Sequence, residues 1–168
     1  PANQYMPLYP LILSAAYLFN DMDAVYLMMK IINALLSTLI IIPIYFFAKE
    51  FLSIRESVNI AALVAVLPPT FAFTPYIMAE NLFYPIFMTA LYLIYKAQQE
   101  KTGKYNVLAG IAIGAAILTR FIGVALLGIV GLMFLRSLCT KHYAEIKNKS
   151  MLCIVAIAML VPWIIRNV

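Results

Sequence analysis

Apolar runs long enough to cross a lipid bilayer follow one another along this chain, with charges confined almost entirely to the short segments between them. A crossing helix takes ~20 apolar residues, or ~17 at the short end. Runs at about 25–48, 58–76, 80–95, 106–135 and 151–165 consume most of the sequence. With 65% hydrophobic and 11% charged residues, too few charges remain to cover a water-facing surface, since soluble domains carry roughly 25%. The predicted fold class is therefore all-α, a polytopic helical membrane protein. Six glycines and nine prolines exclude a collagen-like or low-complexity chain.

The segment 5–19 is apolar but short. Three tyrosines and two prolines give it the character of an interfacial, juxtamembrane helix rather than a full crossing. Residues 1–24 are thus expected to form the end of an outer loop with that helix, and 25–168 the transmembrane bundle. The opening Pro1-Ala-Asn-Gln is no signal peptide, and the chain is expected to be a fragment whose start lies upstream.

A net charge of +5 is a topology signal here, not a nucleic-acid footprint, because the cations sit between apolar runs. Lys49, Arg55, Lys96, Lys101, Lys104, Arg136, Lys141, Lys147 and Lys149 share three loops with only Glu50, Glu56, Glu100 and Glu145. The remaining Lys30, Arg120 and Arg166 are matched by Asp21, Asp23 and Glu80. The positive-inside rule makes the first set cytoplasmic. Residues 105–135 must then leave and return to that side in fewer than the ~40 residues two full crossings need. Two short helices or a hairpin with Thr119-Arg120-Phe121 at its tip would do this. Irregular backbone at such depth requires protein or a water-filled cavity around it. A single tilted helix would export the cations of 136–149, so the hairpin is preferred.

Charged residues within apolar runs are costly and mark candidate sites. Lys30, Glu80, Arg120 and Arg166 all lie toward the outer ends of their runs. Lys30, Asn33 and Ser37 form one polar stripe at i, i+3, i+7 spacing, which snorkelling and interhelical hydrogen bonding explain equally well. Arg166, beside Trp163, also reads as an interfacial anchor. Glu80 and Arg120 each sit at a helix break, where pairing with another charge is the competing explanation. Taken together these residues describe an outward cavity with one acid and several cations, suited to a phosphate-bearing ligand.

Other features carry less. Gly110-x-x-x-Gly114 is a small-residue packing motif. Cys139-x-x-His142 offers two zinc ligands with no second pair, and Cys139 with Cys153 makes no disulfide framework. Asn148-Lys-Ser150 is a glycosylation sequon on the cytoplasmic side, where it is silent.

The order of segments resembles the GT-C superfamily of membrane glycosyltransferases, among them the dolichyl-phosphate-mannose–protein mannosyltransferases and aminoarabinose-transferase-like enzymes. The resemblance rests on Pro7-Leu-Tyr-Pro-Leu-Ile-Leu-Ser14, Lys30-Ile-Ile-Asn-Ala-Leu-Leu36 and Ala48-Lys-Glu-Phe51. It continues through Pro68-Pro-Thr-Phe71 with Ala79-Glu-Asn-Leu82, Leu118-Thr-Arg-Phe-Ile-Gly123 and Pro162-Trp-Ile-Ile-Arg-Asn167. It implies a GT-C-like bundle that transfers a sugar from a polyprenyl- or dolichyl-phosphate donor to a protein, lipid or glycan acceptor at the outer or lumenal face. Glu80 would be a second acid, with Arg120 on the donor phosphate and Lys30, Arg166 and Asn33 as further substrate contacts. The family's main acid stands in a first outer loop, expected upstream of Pro1, and further family spans are expected beyond Val168. Tyr5-Met6 replace the Glu-Lys of some relatives, so no role is carried over there. No cofactor is assigned; a divalent metal stays open. The fragment alone is expected to be inactive.

Two other classes compete with the enzyme. A transporter or flippase of a polyprenyl-phosphate lipid would use the same cations and broken helices, and internal repeats would favour it. A structural subunit of a membrane complex needs nothing polar within the bilayer and accounts worst for Glu80 and Arg120.

Overall fold

The computed structural model describes residues 6–67, 76–100, 103–140 and 143–167. Its contacts divide the chain into two compact units, Pro7–Met88 and the chain from Thr89 onward.

In the first unit, α1 (Leu8–Leu13) continues into a 3-10 turn at Ser14–Leu18. Asp21 then caps α2 (Met22–Thr38), its carboxylate accepting from the Ala24 amide at 3.2 Å. The next helix, α3, covers Ile41–Ala48, so the apolar run at 25–48 is two helical pieces. Pro43 supplies the reason. It has no N–H for the Leu39 carbonyl and its ring crowds that group. The carbonyl instead accepts from the Ile42 amide at 3.2 Å, while the Ile40 amide reaches Ser37 at 3.4 Å. These tighter, three-residue bonds satisfy the backbone groups between the two helical pieces.

A capping box opens α4 (Ile54–Val66): the Ser53 hydroxyl accepts from the Glu56 amide, and the Glu56 carboxylate accepts from the Ser53 amide at 3.0 Å. The Ser53 hydroxyl also donates to that carboxylate at 2.7 Å, and this bond first, then the amide bond, holds the Glu56 carboxyl below the usual carboxylate range. The helix stops at Leu67, which is extended (φ −61°, ψ 141°) because the following proline disfavours helical backbone before it. Pro68, Pro69 and Pro75, which break this run in the sequence, lie outside the described residues. Ile40 and Ile44 pack against Ala61 of α4, and Tyr9 and Leu13 of α1 pack against Leu82. Leu82 belongs to α5 (Glu80–Glu100), whose Pro85 cannot donate to the Asn81 carbonyl.

In the second unit, α6 (Gly103–Thr119) ends at a 3-10 turn, Phe121–Gly123, which leads into α7 (Val124–Cys139); α8 follows at Tyr143–Asn167. Alongside α6, α8 runs parallel: Gly103 faces Met151, Gly110 faces Leu152 and Val155, and Gly114 faces Ala156 and Met159. Ser137 of α7 meets Glu145 of α8, and Met133 meets Lys149, so α7 runs antiparallel to α8. The chain thus reverses between α6 and α7. Gly123 permits the reversal, since a Cβ there would lie 2.7 Å from the Ala116 carbonyl carbon and the Ile117 nitrogen. Ile113 and Ala116 of α6 are fully buried beneath these neighbours.

The outward faces carry many large apolar side chains. Leu35, Leu63, Leu132, Ile154 and Ile165 are largely exposed, which in water would be an aggregation liability and in a bilayer is the lipid contact. Met22–Ala48, Phe121–Cys139 and Glu145–Arg166 are each long and apolar enough to cross a membrane. Among the described residues there is no strand. The protein is an all-α integral membrane protein.

Candidate functional site

Three polar side chains meet inside the apolar core of the first unit. Asn33, on α2, is fully buried; Asn81 and Tyr9 are nearly so. The Tyr9 hydroxyl donates to Asn33 Oδ1 at 2.9 Å, and Asn81 Nδ2 donates to the same oxygen at 3.0 Å. Asn33 Nδ2 donates to the Met29 carbonyl at 2.8 Å, one turn back on its own helix. Burial raises the Tyr9 pKa against the opposing effect of the Asn33 hydrogen bond, so the phenol remains a proton donor. Asn33 is expected from the sequence among the substrate contacts; within the protein its carboxamide has these partners.

Glu80 is the first residue of α5, immediately before Asn81, and is half-buried. A carboxylate at a helix N-terminus is favoured by the exposed amides and dipole there, by ~0.3–1 kcal/mol. Lys30 is one helical turn before Asn33, half-buried, with its ammonium 4.4 Å from the centre of the Tyr26 ring. That contact is a cation–π pair within α2.

In the second unit, Arg120 follows α6 and has extended backbone (φ −148°, ψ 136°). Its amide still bonds to the Ala116 carbonyl at 2.9 Å, and its own carbonyl accepts from Gly123 at 2.9 Å. The residue is therefore fixed at the reversal by backbone bonds on both sides. Arg166 lies in the last turn of α8 and is exposed. Because α6 and α8 are parallel, with Gly114 against Met159, Arg120 and Arg166 stand at the same end of this unit.

At the opposite end, the sequence reading missed a second polar cluster. Because α8 begins at Tyr143, ahead of its apolar run, Glu145 and Lys149 lie one turn apart on a helix rather than in a loop. The Lys149 ammonium donates to the Met133 carbonyl and to Glu145 Oε2, each at 3.1 Å, and to the Ser137 hydroxyl. Ser137 also donates to Glu145 at 3.0 Å. The i, i+4 spacing of Glu145 and Lys149 was the available signal. Beside this cluster is a cleft of about 60 Å³ with Gln98, Asn106 and Asn148 among its lining residues. All of the Lys149 ammonium hydrogens are occupied by protein acceptors, which makes the cluster a brace between α7 and α8. His142 of the Cys-x-x-His pair lies outside the described residues. Among those described, no three His, Cys, Asp or Glu side chains gather as metal ligands.

Residues 6–165 match the dolichyl-phosphate-mannose-protein mannosyltransferase family, and the chain belongs to it. It is thereby a member of a family of membrane glycosyltransferases. No curated protein and no solved structure matches the chain.

Proposed function

We propose that the chain forms part of a glycosyltransferase that moves a sugar from a polyprenyl-phosphate donor to a protein, lipid or glycan acceptor at the outer or lumenal face of the membrane. The family match over nearly the whole chain carries this reading. The arrangement of the second unit supports its orientation. Arg136, Glu145 and Lys149 stand at the end opposite Arg120 and Arg166, so a cytoplasmic basic end leaves the two arginines facing outward. With 17 residues, α6 is ~25 Å long at 1.5 Å per residue, short of the ~30 Å hydrocarbon layer. On that topology Arg120, half-buried at the reversal, lies at membrane depth, where an arginine marks a candidate ligand pathway.

In this reading Arg120, with Arg166, engages the phosphate that becomes the leaving group, and its charge grows more favourable as the sugar–phosphate bond breaks. Lys30, half-buried on α2, is the donor contact of the first unit, while Asn33, fully buried one turn on, acts through its protein partners. Glu80 acts as a second acid supporting proton removal from the acceptor. Glu80→Gln in the full-length protein keeps the shape and removes the charge. Turnover of dolichyl-phosphate mannose should fall ~10²-fold or more, the usual worth of acid–base assistance, at unchanged protein level. Full turnover in that variant would assign Glu80 to helix capping alone.

A further inference from the structure

The Tyr9–Asn33–Asn81 cluster is an expensive way to pack three helical segments. Its members lie among Leu13, Leu82, Met29, Ile32 and Ile86, where apolar side chains would pack without the cost of burying amides and a phenol. What the polar groups add is direction. Asn81 Nδ2 donates both to Asn33 Oδ1 and to the Tyr76 carbonyl, each at 3.0 Å. Tyr76 precedes the non-helical residues that lead into α5. One carboxamide therefore ties the incoming chain, the first turn of α5 and the middle of α2 together. Tyr9 adds α1 through the same acceptor oxygen.

We infer that this cluster is a positioning device: Asn81, held by Asn33 and Tyr9, fixes the rotation of the first turn of α5 and so aims the Glu80 carboxylate. Neighbouring helical residues project ~100° apart. With Asn81 locked into the core, Glu80 is held a quarter-turn away, at the edge of the packed face, where it is half-buried. The backbone offers less restraint at this point, since the Asn81 and Leu82 amides bond only three residues back, to Met78 and Ala79, at 3.2 Å each. The side-chain bonds of Asn81 supply what a longer helical ladder would otherwise supply. The inference rests on the proposal that Glu80 is an acid of the transfer reaction.

The test compares Asn81→Ala, Tyr9→Phe and Glu80→Gln in the full-length protein, with dolichyl-phosphate mannose as donor. A misaimed group costs up to ~10²-fold in rate. Asn81→Ala should lower kcat ~10- to 100-fold per folded molecule while KM for the donor stays within about threefold. Tyr9→Phe loses a single hydroxyl and keeps the ring, the milder change; its kcat per folded molecule should fall in the same sense by less, with KM unchanged. If both variants keep the parental kcat per folded molecule while Glu80→Gln is impaired, the cluster is scaffold and the acid stands. A rise in KM equal to the fall in kcat/KM would likewise overturn the positioning role. Full turnover in Glu80→Gln removes the acid, and the positioning role with it.

Discussion

Arg120 shows how much one residue's placement can determine. It is preceded by a 17-residue helix and followed by a 3-10 turn closed on Gly123. The guanidinium carries five donors in a planar fork, which suits two phosphate oxygens, whereas lysine offers a point charge. If Arg120 holds the donor phosphate, Arg120→Ala should weaken binding of dolichyl phosphate ~10- to 100-fold, the equivalent of a charge-assisted bond of ~1.5–3 kcal/mol. Binding of unphosphorylated dolichol should change little, and Arg120→Lys should recover only part of the loss. Equal loss for both lipids with a lowered thermal midpoint would make the arginine a structural ion-pair member. The Arg120 motif stands in the sequence as Leu118-Thr-Arg-Phe-Ile-Gly123, legible because its residues are adjacent. The Asn33 partners were not legible in that way. Tyr9 and Asn81 lie 24 and 48 residues from Asn33, and only folding brings them to one oxygen.

At the scale of elements, helix contact is governed by where side chains are missing. A Cβ on Gly110 would come within 2.8 Å of Val155 Cβ, and one on Gly114 within 2.6 Å of Met159 Cβ. These glycines let α6 and α8 approach along their length, as small residues do between membrane helices. Gly131, on α7, meets nothing within 4 Å. Gly114→Val should therefore force the two helices apart and cost ~1–3 kcal/mol, the range for overpacking a tight interface. Gly131→Ala should leave the thermal midpoint of the detergent-solubilised protein unchanged or slightly raised. Equal midpoints for the two variants would mean that α6 and α8 do not pack through this seam. The long apolar runs announced helices because nothing else satisfies a backbone in lipid. Hydropathy hid the rest. It joined α2 to α3 across Pro43, and it read Glu145 and Lys149 as loop because their apolar run begins only later.

At the scale of the whole molecule, the all-α membrane architecture follows from composition, while orientation rests on the charge asymmetry of the loops. In the second unit α6 and α8 are parallel and in direct contact and α7 runs antiparallel to them, so the start of α6, the end of α7 and the start of α8 share one end. That end carries Lys104, Arg136, Lys147 and Lys149. Cys139, exposed at the end of α7, is a native reporter of its side once Cys153 is changed to serine. A membrane-impermeant maleimide should label Cys139 only when the cytoplasmic face is opened, and Glu100→Cys in a background lacking both cysteines should behave alike. Asn20→Cys, exposed between the 3-10 turn and α2, should be labelled in sealed cells or vesicles from the outer side. If Arg120 binds the donor phosphate, the orientation of the second unit sets the face of the reaction. If Cys139 were labelled from outside while Asn20→Cys stayed on that side too, the basic end would be external. Arg120 and Arg166 would then face the cytoplasm, and the sugar donor would have to be drawn from the inner leaflet.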